Sequence, residues 1–124
     1  MADSARRTFV FPRSHRLSGR RAFERVHARR TRSEAGCLLV YGIPNDVSHS
    51  RIGFAINRKV GNAITRNRIK RRLREAFRLN QHDWPSGYDW VIVVRPHDIA
   101  EPTDYAALLD RAIHHLAKTW MARA

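Results

Sequence analysis

RIGFAIN at residues 51–57 and RKVGNAITRNRIKRRLREAFR at residues 58–78 read as a strand, a break and a helix, and that succession decides the fold class. In the first stretch Ile52, Phe54 and Ile56 alternate with Gly53, Ala55 and Asn57. The large side chains therefore share one face of a strand, and the opposite face is small and open to another backbone or a ligand. Gly61-Asn62 breaks the strand and offers Asn62 as an N-cap, after which residues 63–79 contain helix formers and no proline. At 3.6 residues per turn Ile69, Leu73, Ala76 and Phe77 fall within about one hundred degrees of arc, a stripe that must face a core. Asn67, Lys70, Arg71, Arg74 and Arg78 gather on the far side, with Arg66, Arg68 and Arg72 along the flanks, and Glu75 is the one acid among them.

Outward from this unit the periodicities change in a regular order. Residues 37–43 are apolar and β-prone and stop at Pro44-Asn45-Asp46, so they read as a strand antiparallel to the next one. Ser18 is placed to cap a basic helix reaching about residue 30, with Ala22, Phe23 and Val26 on one face, and residues 31–35 leave room for an extra short strand. Residues 1–14 lack a sustained period and read as a flexible arm, with Phe9, Val10 and Phe11 the part expected to dock. Toward the other end Pro85-Ser86-Gly87 makes a turn, and Trp90 to Val94 read as an interior strand buried on both faces. Pro102 and Thr103 open a last helix whose Tyr105, Leu108, Leu109, Ala112, Ile113, Leu116, Ala117 and Trp120 recur at helical spacing. The order α-β-β-α-β-α predicts a two-layer α/β (α+β) sandwich, a single domain over residues 15–124.

Twenty-four Lys and Arg against eleven Asp and Glu leave a formal charge of +13 on 124 residues. Residues 1–80 hold twenty basic and five acidic side chains, and the remainder four and six, so the surplus is local. A content of 43% hydrophobic residues in periodic segments argues against a disordered basic chain. No apolar run approaches the roughly twenty residues of a membrane span, and the N-terminal segment lacks the apolar stretch of a signal peptide, so a cytoplasmic location is expected. The single Cys37 excludes a disulfide framework and a cysteine-ligated zinc finger.

Residues 58–78 carry nine Arg or Lys against one Glu. Like charges four apart, such as Arg66 with Lys70 and Lys70 with Arg74, each cost a few tenths of a kcal/mol, so a balanced, merely solvated face is the weaker reading. The cations are nearly all guanidinium groups, which bind phosphate in a bidentate fork and stack on bases. A polyanion is the natural partner, and RNA fits better than DNA, because the helix lies between strands of one small sheet and no dimer seam of a groove reader is visible. Phe23, Tyr41 and Phe54 offer stacking platforms for unpaired bases, although each ring alone is more readily a core residue; Trp90 and Trp120 read as structural.

At this point residues 51–75, RIGFAINRKVGNAITRNRIKRRLRE, closely resemble the signature of the bacterial ribonuclease P protein family, whose mark is an Arg-Asn-Arg helix after a strand and a Gly-Asn turn. Arg66-Asn67-Arg68 stands in that place, and the likeness extends to Pro12, Arg16-Leu17, Phe23, Tyr41 and residues 88–95. The resemblance implies a fold like the second domain of ribosomal protein S5, with a left-handed crossover at the basic helix. It implies a protein that docks on a catalytic RNA subunit, which uses Mg²⁺ to hydrolyse the phosphodiester bond releasing the 5′ leader of precursor tRNA. The protein would hold the leader in a cleft and strengthen metal and substrate binding without supplying an acid or base, and it would be monomeric apart from the RNA. Carried over by position, Arg58, Lys59, Arg66, Asn67, Arg68, Lys70, Arg71 and Arg74 would face the RNA subunit. Phe23, His27, Tyr41, Ala55 and Arg66 would form the leader cleft. His27 stands where many relatives have a second aromatic residue, which implies a smaller or pH-sensitive stacking surface. Asn57 replaces a small serine or glycine.

Two other classes compete. An autonomous nuclease needs its own acid and base or metal-binding carboxylates, and the seven histidines show no ligand spacing tied to acids. A structural, ribosomal-type RNA-binding protein would share size and charge, but the ordered Arg-Asn-Arg register speaks against it.

Overall fold

The computed structural model describes Phe11 and residues 13–123. Three helices and one four-stranded sheet follow one another as α1 (Arg20–Ala28), β1 (Arg32–Ala35), β2 (Leu38–Pro44), β3 (Arg51–Ile56), α2 (Ala63–Asn80), β4 (Tyr88–Val94) and α3 (Tyr105–Arg123). Short 3₁₀ turns at Arg13–His15 and Arg58–Val60 precede α1 and α2. The predicted extra strand is β1, joined to β2 through the turn at Gly36 and Cys37.

The strand order is β1-β2-β4-β3. β2 and β3 run antiparallel, as the sequence predicts, but they are not neighbours: β4 lies between, antiparallel to β2 and parallel to β3. The physical reason is burial. Trp90, Val91, Ile92 and Val94 are all fully buried, and a strand apolar on both faces is satisfied only in the middle of a sheet.

Alternation then sorts the side chains. Leu38, Val40, Ile52, Trp90, Ile92 and Val94 face α2 and α3 and build the main core with Ile69, Leu73, Phe77, Leu109, Ile113 and Leu116. The stripe expected on α2 is buried in full, and Asn62 caps the helix by accepting a 2.9 Å hydrogen bond from the Thr65 amide. Gly42 is required here, since a Cβ would lie 2.3 Å from the Trp90 ring.

The opposite face is organised in three rows across β3, β4 and β2: Arg51-Asp89-Ile43, Gly53-Val91-Tyr41 and Ala55-Val93-Leu39. α1 covers the first two through Val26 and Phe23, which pack with Leu17, Ile43, Val91 and Tyr41. A Cβ on Gly53 would meet the Leu17 carbonyl oxygen at 2.6 Å and the Phe23 ring at 2.7 Å, so this glycine lets α1 sit down on the sheet. α1 begins after Gly19 with no side-chain cap, in place of the cap expected from Ser18, and it ends at Ala28, where Arg30 turns the chain with φ 52°. α3 starts at Tyr105, later than Pro102 and Thr103 suggest, and the Asp104 side chain accepts from the Ala107 amide at 3.0 Å.

Most of the arm predicted for residues 1–14 lies outside the described residues, Phe9, Val10 and Pro12 included. Phe11 docks edge-on against Phe77 with ring centroids 5.6 Å apart. Residues 13–17 then run along the edge of β3, where the Leu17 amide donates to the Ile52 carbonyl at 2.9 Å.

Candidate nucleic-acid interface

α2 divides its cations between three surfaces. Asn67 and Arg71 are exposed away from the sheet, Arg68 and Arg72 are exposed on the α3 flank, and Arg66, Lys70 and Arg74 are half-buried beside the edge of β3. Phe54 lies under this last row, with the Arg74 guanidinium 5.9 Å from its ring centroid. Glu75 is taken by Arg78, so it neutralises none of the others. The Nε atoms of Arg66 and Arg74 are buried without a hydrogen-bond partner. Burial first, and then the charge of Arg16, lower the Arg74 pKa from its ordinary value. Arg58 and Lys59 extend the basic surface from the 3₁₀ turn, where Asn57 accepts a 2.8 Å hydrogen bond from the Lys59 amide. That bond gives Asn57 a local role that serine could share and glycine could not.

The second surface is the row that α1 leaves uncovered. Ala55, Val93 and Leu39 are half-exposed side by side on three strands, forming an open apolar floor. At its margin the His27 ring packs against Tyr41 with centroids 4.1 Å apart and the planes tilted by 42°, and Arg32 donates to the Tyr41 hydroxyl at 3.4 Å. Phe23, His27, Tyr41 and Ala55 thus belong to one face of the sheet. Arg66 does not join them directly: it lines a groove with Phe54 and Ile56, whose side chains point to the other face. Phe54 lies on the face opposite the open row, where the alternation in residues 51–57 puts it, and offers no platform on that row.

What holds α1 over the sheet is a network that pattern reading missed. Asp89, 0% exposed, accepts two 2.8 Å hydrogen bonds from Arg51 and one of 2.8 Å from Arg25 on α1. Asn45 adds another at 2.9 Å. Burial alone would raise the Asp89 pKa; the hydrogen bonds from Arg51, Asn45 and Arg25 and the charge of Arg51 outweigh it and hold the carboxyl below its usual 3.8. The visible signal was an acid at the start of an otherwise apolar interior strand. Trp120 is structural as expected: its indole donates to the Gly42 carbonyl at 2.8 Å, between the Arg29 and Arg123 guanidinium groups.

Among the described residues no group of three or more His, Cys, Asp or Glu is arranged to hold a metal ion. Nor is any helix among them long and apolar enough to cross a membrane.

Fold and surface together define a small α/β scaffold that carries an uncompensated arginine helix on one side of its sheet and an open apolar row on the other. The family model described as Ribonuclease P matches residues 11–120, and the chain belongs to that family. A ribonuclease P protein component from Desulfovibrio desulfuricans is 35% identical over 119 residues, covering 89% of this chain and 92% of its own. One from Photorhabdus laumondii is 44% identical over 87 residues, covering 69% and 72%. Among solved structures, the RNase P protein from Thermotoga maritima superposes with a TM-score of 0.69 at 30% identity, covering 84% of this chain and 96% of that one. The RNase P protein from Staphylococcus aureus gives 0.67 at 23% identity over 85% and 94%, a likeness of fold.

Proposed function

We propose that this chain is the protein subunit of a ribonuclease P holoenzyme, gripping the RNA subunit with α2 and the leader of precursor tRNA with the open row of the sheet. The carrying observation is the 3₁₀ turn and α2 together: nine Arg or Lys between residues 58 and 78, one acid, and that acid already paired. Arg58, Lys59, Arg66, Asn67, Arg68, Lys70, Arg71 and Arg74 contact phosphates of the RNA subunit. Ala55, Phe23 and the His27–Tyr41 pair receive the unpaired 5′ leader, whose bases stack where the floor is apolar and the rim aromatic. Arg66, at the edge between the two surfaces, reaches the leader from the side.

The reaction is hydrolysis of the phosphodiester bond at the mature 5′ end of the tRNA, and its chemistry belongs to the RNA subunit. Mg²⁺ is held by that RNA and the substrate and supplies charge neutralisation at the scissile phosphate. The protein's part is to hold both RNAs in one orientation and to lower the Mg²⁺ needed, by replacing diffuse counterions with fixed guanidinium groups. The reading carries with it a cytoplasmic protein, monomeric apart from the RNA.

Reconstitution tests the reading. RNA subunit and protein together should remove the leader at low Mg²⁺ where the RNA alone is slow, and the protein alone should cleave nothing. Cleavage by the protein alone, or a processing rate indifferent to the protein, would contradict it.

A further inference from the structure

The chain ahead of α1 is fastened to the rest of the fold at three points. Phe11 packs on Phe77, the Leu17 amide donates to the Ile52 carbonyl at 2.9 Å, and between them His15 lies against His49 of the β2–β3 loop. The two imidazole centroids are 4.2 Å apart and the planes are tilted by 33°. The His49 Nε2 lies 3.0 Å from the Ser14 carbonyl oxygen, so that nitrogen carries a proton and donates it. His15 Nδ1 is buried and has no hydrogen-bond partner. Neutral His15 can keep this nitrogen bare, with its proton on Nε2. Charging the ring puts an N–H on Nδ1, where no acceptor waits, and sets a cation against a second imidazole. Burial first, and then the charge of His49, hold the His15 pKa below its ordinary value. Among the described residues neither ring bonds an acid. Arg13 and Arg16 flank His15 in its own segment; on α2, Arg74 acts on Arg16 and Arg78 is paired with Glu75. Asp89 of β4 is taken by Arg51, Arg25 and Asn45, and Asp46 of the loop acts on Arg51. In the turn after α2, His82 lines the cavity beside the pair and Asp83 does not.

We propose that the His15–His49 pair is a pH-sensitive latch: neutral, it holds the chain ahead of α1 along the edge of β3, and protonated, it lets that chain go. A cavity of about 340 Å³ beside the two rings, lined also by Phe77, Trp84 and Ser48, gives the charged imidazole room to turn away and admits water. One short segment carries Phe11, His15 and Leu17, so losing the middle contact loosens the pairing with Ile52 as well. A released imidazole takes up its proton near pH 6.5, and the latched one only below that. The latch is therefore at full strength above about pH 6.5 and weakens as pH falls, by up to about tenfold per pH unit for one proton. It does not depend on what α2 binds.

The full chain, followed by NMR at constant salt between about pH 7.5 and about pH 5, tests this. Hydrogen-exchange protection of the Leu17 amide, corrected for the intrinsic rate at each pH, should fall about tenfold across that interval. Protection of Ile92, fully buried on the central strand, should stay level. The His15 ring resonance should titrate below the free-imidazole value in step with the Leu17 change. Two variants locate the proton. His15→Phe keeps a ring against His49 and cannot be charged, so Leu17 protection should become independent of pH. His82→Gln removes the third imidazole of the cavity and should leave the fall in place. Level Leu17 protection in the wild type, a fall shared by Ile92, a fall that persists in His15→Phe, or one abolished by His82→Gln would each overturn the latch. Should His15→Phe undock the segment at every pH, the wild-type titration decides alone: protection that falls in step with the His15 resonance supports the latch, and a fall out of step with it overturns it.

Discussion

Asp89 shows how much of the architecture can depend on one residue. It is a buried carboxylate on the central strand, and its partners come from α1, from β3 and from the turn after β2. Removing its charge leaves two guanidinium groups facing a neutral amide beneath α1, so Asp89→Asn should cost about 3 kcal/mol, read by chemical denaturation. The pH dependence follows from the lowered carboxyl pKa. The Asp89 contribution is fully present above the unfolded value near 3.8 and is lost as pH falls through the lower folded value. Acid unfolding of the wild type should therefore steepen below about pH 4, and Asp89→Asn should lack that component; identical acid profiles would show that the network contributes nothing. The sequence showed the acid at the start of an apolar interior strand but not the network around it, because its partners lie 64 and 38 positions away. Asn62, by contrast, was legible, since a cap needs only the three residues after it.

At the scale of the element, α2 is a helix whose charge works against it. Arg66, Lys70 and Arg74 repel one another along one flank, and the stabilising part is the apolar stripe of Ile69, Leu73, Ala76 and Phe77 against the sheet. Leu73 is 0% exposed, and Leu73→Ala should lower stability by about 2–5 kcal/mol, checked by thermal or urea unfolding. A loss below about 1 kcal/mol would mean that helix propensity, and not packing, holds the rod in place. The stripe was readable because helical periodicity is a local property. The pairing of strands was not: residues 37–43 and 51–57 look like a hairpin across their turn, and the strand that separates them arrives only after α2. The burial of β4 on both faces was the clue that it, and not β2 or β3, had to be central. The open row of Ala55 was legible from its small residues, whereas the side on which Phe54 points follows once parity is combined with the position of α2.

The whole molecule keeps its two surfaces on opposite sides of a single sheet. The positive surplus is concentrated before residue 81 and absent after it, where α3 and β4 serve as the packed support for what β3, α2 and α1 present. Such a division suits the proposed function, in which one protein touches two RNAs at once. The account stands on α2 being a phosphate-binding surface and not a solvated one. The most direct measurement is the dependence of assembly with the RNA subunit on salt concentration, for the wild type and for Arg68→Ala/Arg71→Ala, both exposed and both clear of the core. Loss of two phosphate contacts should weaken assembly and lower the slope of log K against log salt by about two. An unchanged slope, with assembly as tight as in the wild type, would contradict the account.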